Sequence, residues 1–383
     1  MPRKFLYILI FLAISWPSVQ YAQDEKPIRI FGYFQNQFKQ EGDPNSDRNQ
    51  NSFLLQQLNL FFQKGIAKRW SAFVNFELIN SYSSARQWGS FRVEEAWVKY
   101  RASKKFQLKM GLLIPTFNHL NAIKNRTPLL PYVTRPLVYE ASLDFIPLDE
   151  FIPSRAFVQA YGVIPGETVK FDYAAYLGNS PNISTQTDGG QSGVDTTSTF
   201  LIGGRAGVRV FNNIKAGISL THDKDNVFDR RFPNAPFDLE GLRRLRLGAD
   251  LSFQVQNFFF EGEYIDVEYD ERTNLIELDK KFYYGTIGWR PIDALVIYGS
   301  YWRTRSHDNV RPANRQEEGN QSLQDIEPFI SIVESSSAGL AYTMHERIVL
   351  KGQYVRVSRE TDNPRVPPGR GFNIYNAAIS VSF

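Results

Sequence analysis

One pattern constrains this chain more than any other. Apolar and polar residues alternate over segments of about ten residues, and the connections between segments are alternately short and long. A period of two is a strand with one apolar face and one polar face. Trp70, Ala72, Val74, Phe76 and Leu78 alternate with Ser71, Asn75 and Glu77; Leu245, Leu247, Ala249, Leu251 and Phe253 alternate with Arg244, Arg246, Asp250, Ser252 and Gln254. The chain keeps this up to its last residue, where Tyr375, Ala377, Ile379, Val381 and Phe383 share one parity. A soluble terminus would leave those side chains in water, whereas the closing strand of a barrel would turn them to lipid.

Sixteen candidate strands follow, from 27–39 to 371–383. Every second connection is short, as at Lys64–Lys68, Ala102–Lys104, Asn212, Gln256 and Met344–His345, and most of the others are long and polar. This asymmetry predicts an all-β fold: a closed antiparallel transmembrane β-barrel of about 16 strands. Short turns would face the periplasm and long loops the outside. The competing soluble all-β fold would bury its apolar face in a core instead. No apolar run of 18 residues follows the N-terminal segment, so the sequence predicts no membrane-spanning helix.

The N-terminus supplies the route. Arg3 and Lys4 precede an apolar run from Phe5 to Trp16, and Pro17 to Gln23 is a polar, small-residue exit. That layout predicts a secretory signal peptide over 1–23 and a barrel over 24–383, in the outer membrane of a Gram-negative bacterium. Without Arg3 and Lys4 the net charge falls from +4 to about +2, which gives no reason to expect a nucleic-acid partner. Cysteine is absent, which excludes disulfides, thiolate metal sites and cysteine nucleophiles.

One connection differs from the rest. Residues 115–154, the third long loop by strand count, hold Pro115, Pro128, Pro131, Pro136, Pro147 and Pro153. A loop of that length calls for a functional reason. Folded into the barrel it would form a constriction with Lys124, Arg126 and Arg135; packed across the mouth it would be an outer cap.

The stretches FRVEEAWVKY (91–100), KFQLKMGLLIP (105–115) and the segment from Phe151 to Ser180 resemble the phosphate-selective porin O/P family of bacterial outer membranes. The resemblance covers about a quarter of the chain. It implies a sixteen-stranded barrel, often trimeric, that conducts small anions through a lumen lined with arginine. The C-terminal YNAAISVSF resembles the terminal strand of outer-membrane barrels as a class, which the barrel insertion machinery reads.

Strand parity turns Lys99, Lys109, Lys170, Arg205, Arg209, Lys215, Arg244, Arg246 and Lys351 inward. Of these, Lys109, Lys170, Arg205, Arg209, Lys215, Arg244, Arg246 and Lys351 are the candidate pore-lining, anion-binding residues. Glu77, Glu95, Asp172, Asp250, Glu261 and Glu263 point inward too, so the expected anion preference is mild. The partners expected are lipid, small hydrophilic solutes or anions, and further copies of the chain in a homotrimer. The alternative is a non-conducting barrel with a structural, adhesion or secretion-associated role. His119, His222, His307 and His345 lack metal-ligand spacing and no nucleophile motif is present, so neither enzyme chemistry nor a cofactor is expected.

Overall fold

The computed structural model describes residues 27–42, 49–79, 90–139, 151–153, 155–180, 199–225, 242–269, 279–308, 329–362 and 371–383. The expected signal peptide, residues 140–150 of the third loop and the TDGGQSG stretch at 187–193 lie outside the described residues.

Sixteen strands form among the described residues. The first eight are β1 (Arg29–Gly42), β2 (Asn49–Ala67), β3 (Trp70–Ile79), β4 (Ser90–Arg101), β5 (Gln107–Leu113), β6 (Ala156–Ile164), β7 (Val169–Gly178) and β8 (Leu201–Val210). The rest are β9 (Ile214–Asp225), β10 (Leu242–Val255), β11 (Phe258–Tyr269), β12 (Asp279–Ile292), β13 (Leu295–Asp308), β14 (Phe329–His345), β15 (Ile348–Thr361) and β16 (Phe372–Ser382). Each pairs antiparallel with its sequence neighbours, and β1 pairs with β16 to close the barrel. Closure runs to the chain end: the Gly32 and Phe383 amides donate to each other's carbonyls, both at 3.0 Å. A closed sheet leaves no strand edge unpaired, which is what a lipid environment requires.

The faces follow the sequence period. Phe171, Leu177, Leu247, Leu251, Tyr375 and Ile379 are exposed on the outside, while Arg246, Asp250, Asn376 and Ser380 are buried on the inside. Trp70, Trp289, Phe258 and Phe383 stand exposed beside the short-turn ends, where an interfacial aromatic girdle belongs. The turn between β8 and β9 is tight because Phe211 and Asn212 both take positive φ, at 47° and 62°.

The main apolar core lies inside the barrel, not between sheets. Phe117, Leu120, Leu137, Val138, Tyr139, Phe151 and Ile152 of the third loop pack on wall residues that include Ile265, Phe282, Trp302, Val333, Val355 and Ile374. These wall residues come from β11 to β16, so in this sector the inward face is apolar and the loop covers it. In β2 to β4 the inward face is polar at the level of the loop, where Gln57, Asn59, Asn75, Glu77 and Glu94 are all buried; nearer the short turns Phe61, Phe73 and Trp97 stack in a row.

Candidate functional site

The loop leaves β5 at Leu113, and its described residues lie within the barrel. At its near end Asn118 takes a positive φ of 48°. Its amide donates to Ser219 Oγ at 2.9 Å. Asn118 can approach the wall this closely only because residue 248 is glycine: a Cβ at Gly248 would stand 2.2 Å from Asn118 Oδ1. Next, Glu263 of β11 accepts from the Leu120 amide at 2.6 Å and from the Tyr139 hydroxyl at 2.6 Å. Glu261, two residues along the same strand, accepts from the Tyr132 hydroxyl.

The far side is pinned to β15, and also to β2 and β16, where Gln56 Nε2 donates to the Val133 carbonyl at 2.9 Å and Asn376 Nδ2 to Thr134 Oγ1 at 3.1 Å. Gln353 Oε1 accepts from the Val133 and Thr134 amides at 3.0 and 2.6 Å, and its Nε2 returns a bond to the Thr134 carbonyl at 3.1 Å. Lys351 lies beside it, fully buried. Its Nζ donates to the carbonyls of Thr127, Pro128 and Tyr132 at 2.9, 3.1 and 3.3 Å, and to Gln35 Oε1 at 2.8 Å. A buried ammonium must find acceptors for all its protons, and loop carbonyls supply most of them. The loop is thus tied to β9–β11 on one side of the lumen and to β15, β16 and β2 on the other.

The predicted cations divide into three groups. In the first, Arg205 pairs with Asp172 and with Asp250, the latter at 2.7 Å. Arg244 and Arg246 both pair with the buried Asp223, each at 2.9 Å, and both are themselves buried. In the second, Lys351 anchors the loop as described, and Lys109 lies 4.6 Å from the Trp97 ring centroid and 5.4 Å from that of Tyr161. The third group is Lys170, Arg209 and Lys215. Lys170 stands opposite Arg209, and Arg209 opposite Lys215, so three like charges lie in one cross-strand row. Lys170 donates to Asn212 Oδ1 at 2.8 Å, and Arg209 Nε is buried without a hydrogen-bond partner among the described residues. Like charges directly opposite one another are destabilising in a sheet. His119 of the loop faces this group; burial, then Lys215, holds its imidazole below the usual value, so it is neutral at neutral pH.

On the loop, Lys124 opens a short 3-10 segment, Lys124–Leu129. Arg126 is exposed in the lumen, close enough to Glu95 and Lys109 to interact with both. Arg135 acts in the same way on Glu77. The wall facing these arginines carries a chain of ion pairs: Gln57 donates to Glu77 at 2.8 Å, Arg92 links Glu77 to Glu94 at 2.7 and 3.1 Å, and Arg155 holds Glu94 at 2.9 Å. Glu94 and Glu95 both point inward because the register shifts between Asn75 and Phe76 of the paired strand. Strict alternation predicts only one of the two. The anchoring residues Gln353, Asn118, Tyr132 and Tyr139 were not singled out from the sequence either; their roles arise from contacts across a hundred residues or more.

The comparisons with known proteins concern fold. No family model and no curated protein sequence matches the chain. Among solved structures, the anion-selective porin from Comamonas acidovorans is 12% identical with a TM-score of 0.56, covering 93% of this chain and 99% of its own. The outer membrane channel DcaP of Acinetobacter baumannii is 14% identical at 0.53, with 93% and 97% covered. Salmonella typhi OmpF, solved with daunomycin, is 11% identical at 0.57, with 95% and 99% covered. At such identities the likeness shows a shared architecture alone. The chain is a closed sixteen-stranded barrel of the Gram-negative outer-membrane type.

Proposed function

We propose that the chain is an outer-membrane porin, a water-filled channel through which small hydrophilic solutes and ions diffuse. The observation that carries this reading is the loop at 114–139, which crosses the lumen and covers the apolar sector of β11–β16. The β2–β9 sector keeps a polar, charged inner face. Such a loop narrows a pore and leaves a lined passage beside it.

Within that reading we propose a mild preference for anions, phosphate among them. Arg205, Arg244 and Arg246 contribute little to it, because aspartates neutralise much of their charge. Lys170, Arg209 and Lys215 contribute most, because they stand directly opposite one another with no acid between them, Glu261 following only beyond Ser252, and their repulsion is relieved whenever an anion sits among them. Arg126 and Arg135 add positive charge on the loop side. The stretches at 91–100, 105–115 and 151–180 support membership of the phosphate-selective O/P family as the finer assignment. The trimeric form belongs to the same proposal, and no reaction is proposed.

One observation favours a second reading. The apolar cluster inside the barrel resembles a plug, and a barrel plugged throughout would be a structural component. Reconstitution in a planar bilayer separates the two. A porin gives discrete current steps and, in a salt gradient, a reversal potential displaced toward the anion. A silent protein would sink the channel reading; cation preference would remove the role given to the Lys170–Arg209–Lys215 row.

A further inference from the structure

Beneath the loop, on the short-turn side of the barrel, lies a cavity of about 370 Å³. Its walls are of two kinds. One side is polar and basic: Lys215, Arg290, His119, Ser252, Asn213 and Gln254. The other is apolar: Leu129 and Pro131 from the underside of the loop, with Phe259, Val296 and Val349 from the wall. A passage for bare inorganic ions has no use for the second wall, and exposed apolar groups in a water-filled lumen carry a hydration cost.

Two details show that the apolar wall is shaped. Leu129 remains 59% exposed although it belongs to a loop whose neighbouring residues are largely buried. Phe259 lies flat because residue 288, on the adjacent strand, is glycine: a Cβ there would meet the Phe259 ring at 2.1 Å. The ring thus rests on the backbone with the Arg290 guanidinium 5.5 Å from its centroid. Aromatic face, aliphatic side chain and cation converge on one space. The single carboxylate in the lining, Glu261, lies near enough to attract Lys215 and accepts the Tyr132 hydroxyl. The lining therefore holds two cations to one acid.

We propose that this cavity is a binding site for small organic anions, in which a carboxylate or phosphate monoester meets Lys215 and Arg290 while a ring or short hydrocarbon body lies against Phe259 and Leu129. This rests on the reading of the lumen as a solute passage, and it sharpens that reading from ions to amphipathic anions. A cavity of this size lies within the range of small-ligand sites, and a mixed lining with a few convergent polar groups is their usual form.

The test uses the full-length protein in detergent micelles, with phenyl phosphate and inorganic phosphate as calorimetric probes. Phenyl phosphate is expected to bind at least about tenfold more tightly, the ratio that burying part of one ring supplies. Phe259→Ser is expected to abolish that advantage and leave inorganic phosphate unchanged, whereas Lys215→Gln weakens both. Leu129→Ser, on the exposed underside of the loop, repeats the first arm should Phe259→Ser fold poorly. Equal affinities for the two probes, or an advantage indifferent to both apolar substitutions, would overturn the proposal. Bilayer recordings on the same preparation separate it from the channel reading. Selective binding without current steps would leave the site standing and refute the channel; anion-selective steps without a phenyl phosphate advantage would do the reverse.

Discussion

Replacing Lys351 by Met removes the ammonium and keeps the length of the carbon stem that carries it. In the native protein the Lys351 Nζ serves three loop carbonyls, those of Thr127, Pro128 and Tyr132, together with Gln35 Oε1, all between 2.8 and 3.3 Å. Charge-assisted bonds of this kind contribute about 1.5–3 kcal/mol each, and buried acceptors left without donors cost about 1–3 kcal/mol each. Some of that loss is recovered because Met buries well and water enters the gap. A net loss of about 3 kcal/mol in loop docking is the outcome expected for Lys351→Met, and it multiplies the undocked population by about 150. The strand ladder and its closure by β1 with β16 do not involve the Lys351 side chain, so the barrel itself stays folded. Two assays read the effect. Amide hydrogen exchange over 115–139 accelerates by about two orders of magnitude, and single-channel current becomes larger and noisier as the loop leaves the wall. Unchanged exchange in this segment, with unchanged current noise, would refute the idea that Lys351 holds the loop.

Four further outcomes follow from the same contacts. Gly248→Ala sets a Cβ 2.2 Å from Asn118 Oδ1, so the near end of the loop shifts at a cost of about 1–3 kcal/mol, visible as faster exchange around Asn118. Lys170→Gln, Arg209→Gln and Lys215→Gln together move the reversal potential toward zero anion preference; an unmoved potential removes this row from selectivity. Arg244→Gln with Arg246→Gln leaves the buried Asp223 without its two cations. That change lowers thermal stability by about 3–5 kcal/mol with little change in selectivity, and a selectivity change without a stability loss would contradict it. His119, held neutral by burial and then by Lys215, gains a proton only below the usual imidazole range. Anion preference therefore rises as pH falls through that acid region, and His119→Asn removes the rise, as pH-dependent reversal potentials would report.

The strands and their faces were legible in the sequence because a barrel in lipid enforces the period of two along every strand. An outward residue such as Leu247 or Ile379 meets lipid whatever its neighbours do, so local pattern suffices. The inward face has no such single environment. Lys351, Arg205 and Lys215 look alike in the sequence, each a cation of inward parity. In the barrel the first is caged by loop carbonyls, the second lies between two aspartates, and the third faces a cavity. Their fates are decided by Tyr132, Asp250 and Leu129, residues far away in sequence. Bulges add a second blind spot. Glu94 and Glu95 break parity together, because one extra residue in β4 turns both side chains to the lumen. The loop showed its length and its prolines in the sequence, but not its anchors, which are single side chains on strands separated from it by tens to hundreds of residues.

On the proposed reading the loop narrows this barrel without sealing it. Single-channel recording of the purified full-length chain in a planar bilayer, under a KCl gradient, tests that most directly. Discrete steps with a reversal potential on the anion side are expected, and larger, noisier steps for Lys351→Met than for the native protein. A native protein that never conducts, alongside a Lys351→Met variant that does, would show that the loop closes the barrel instead of narrowing it.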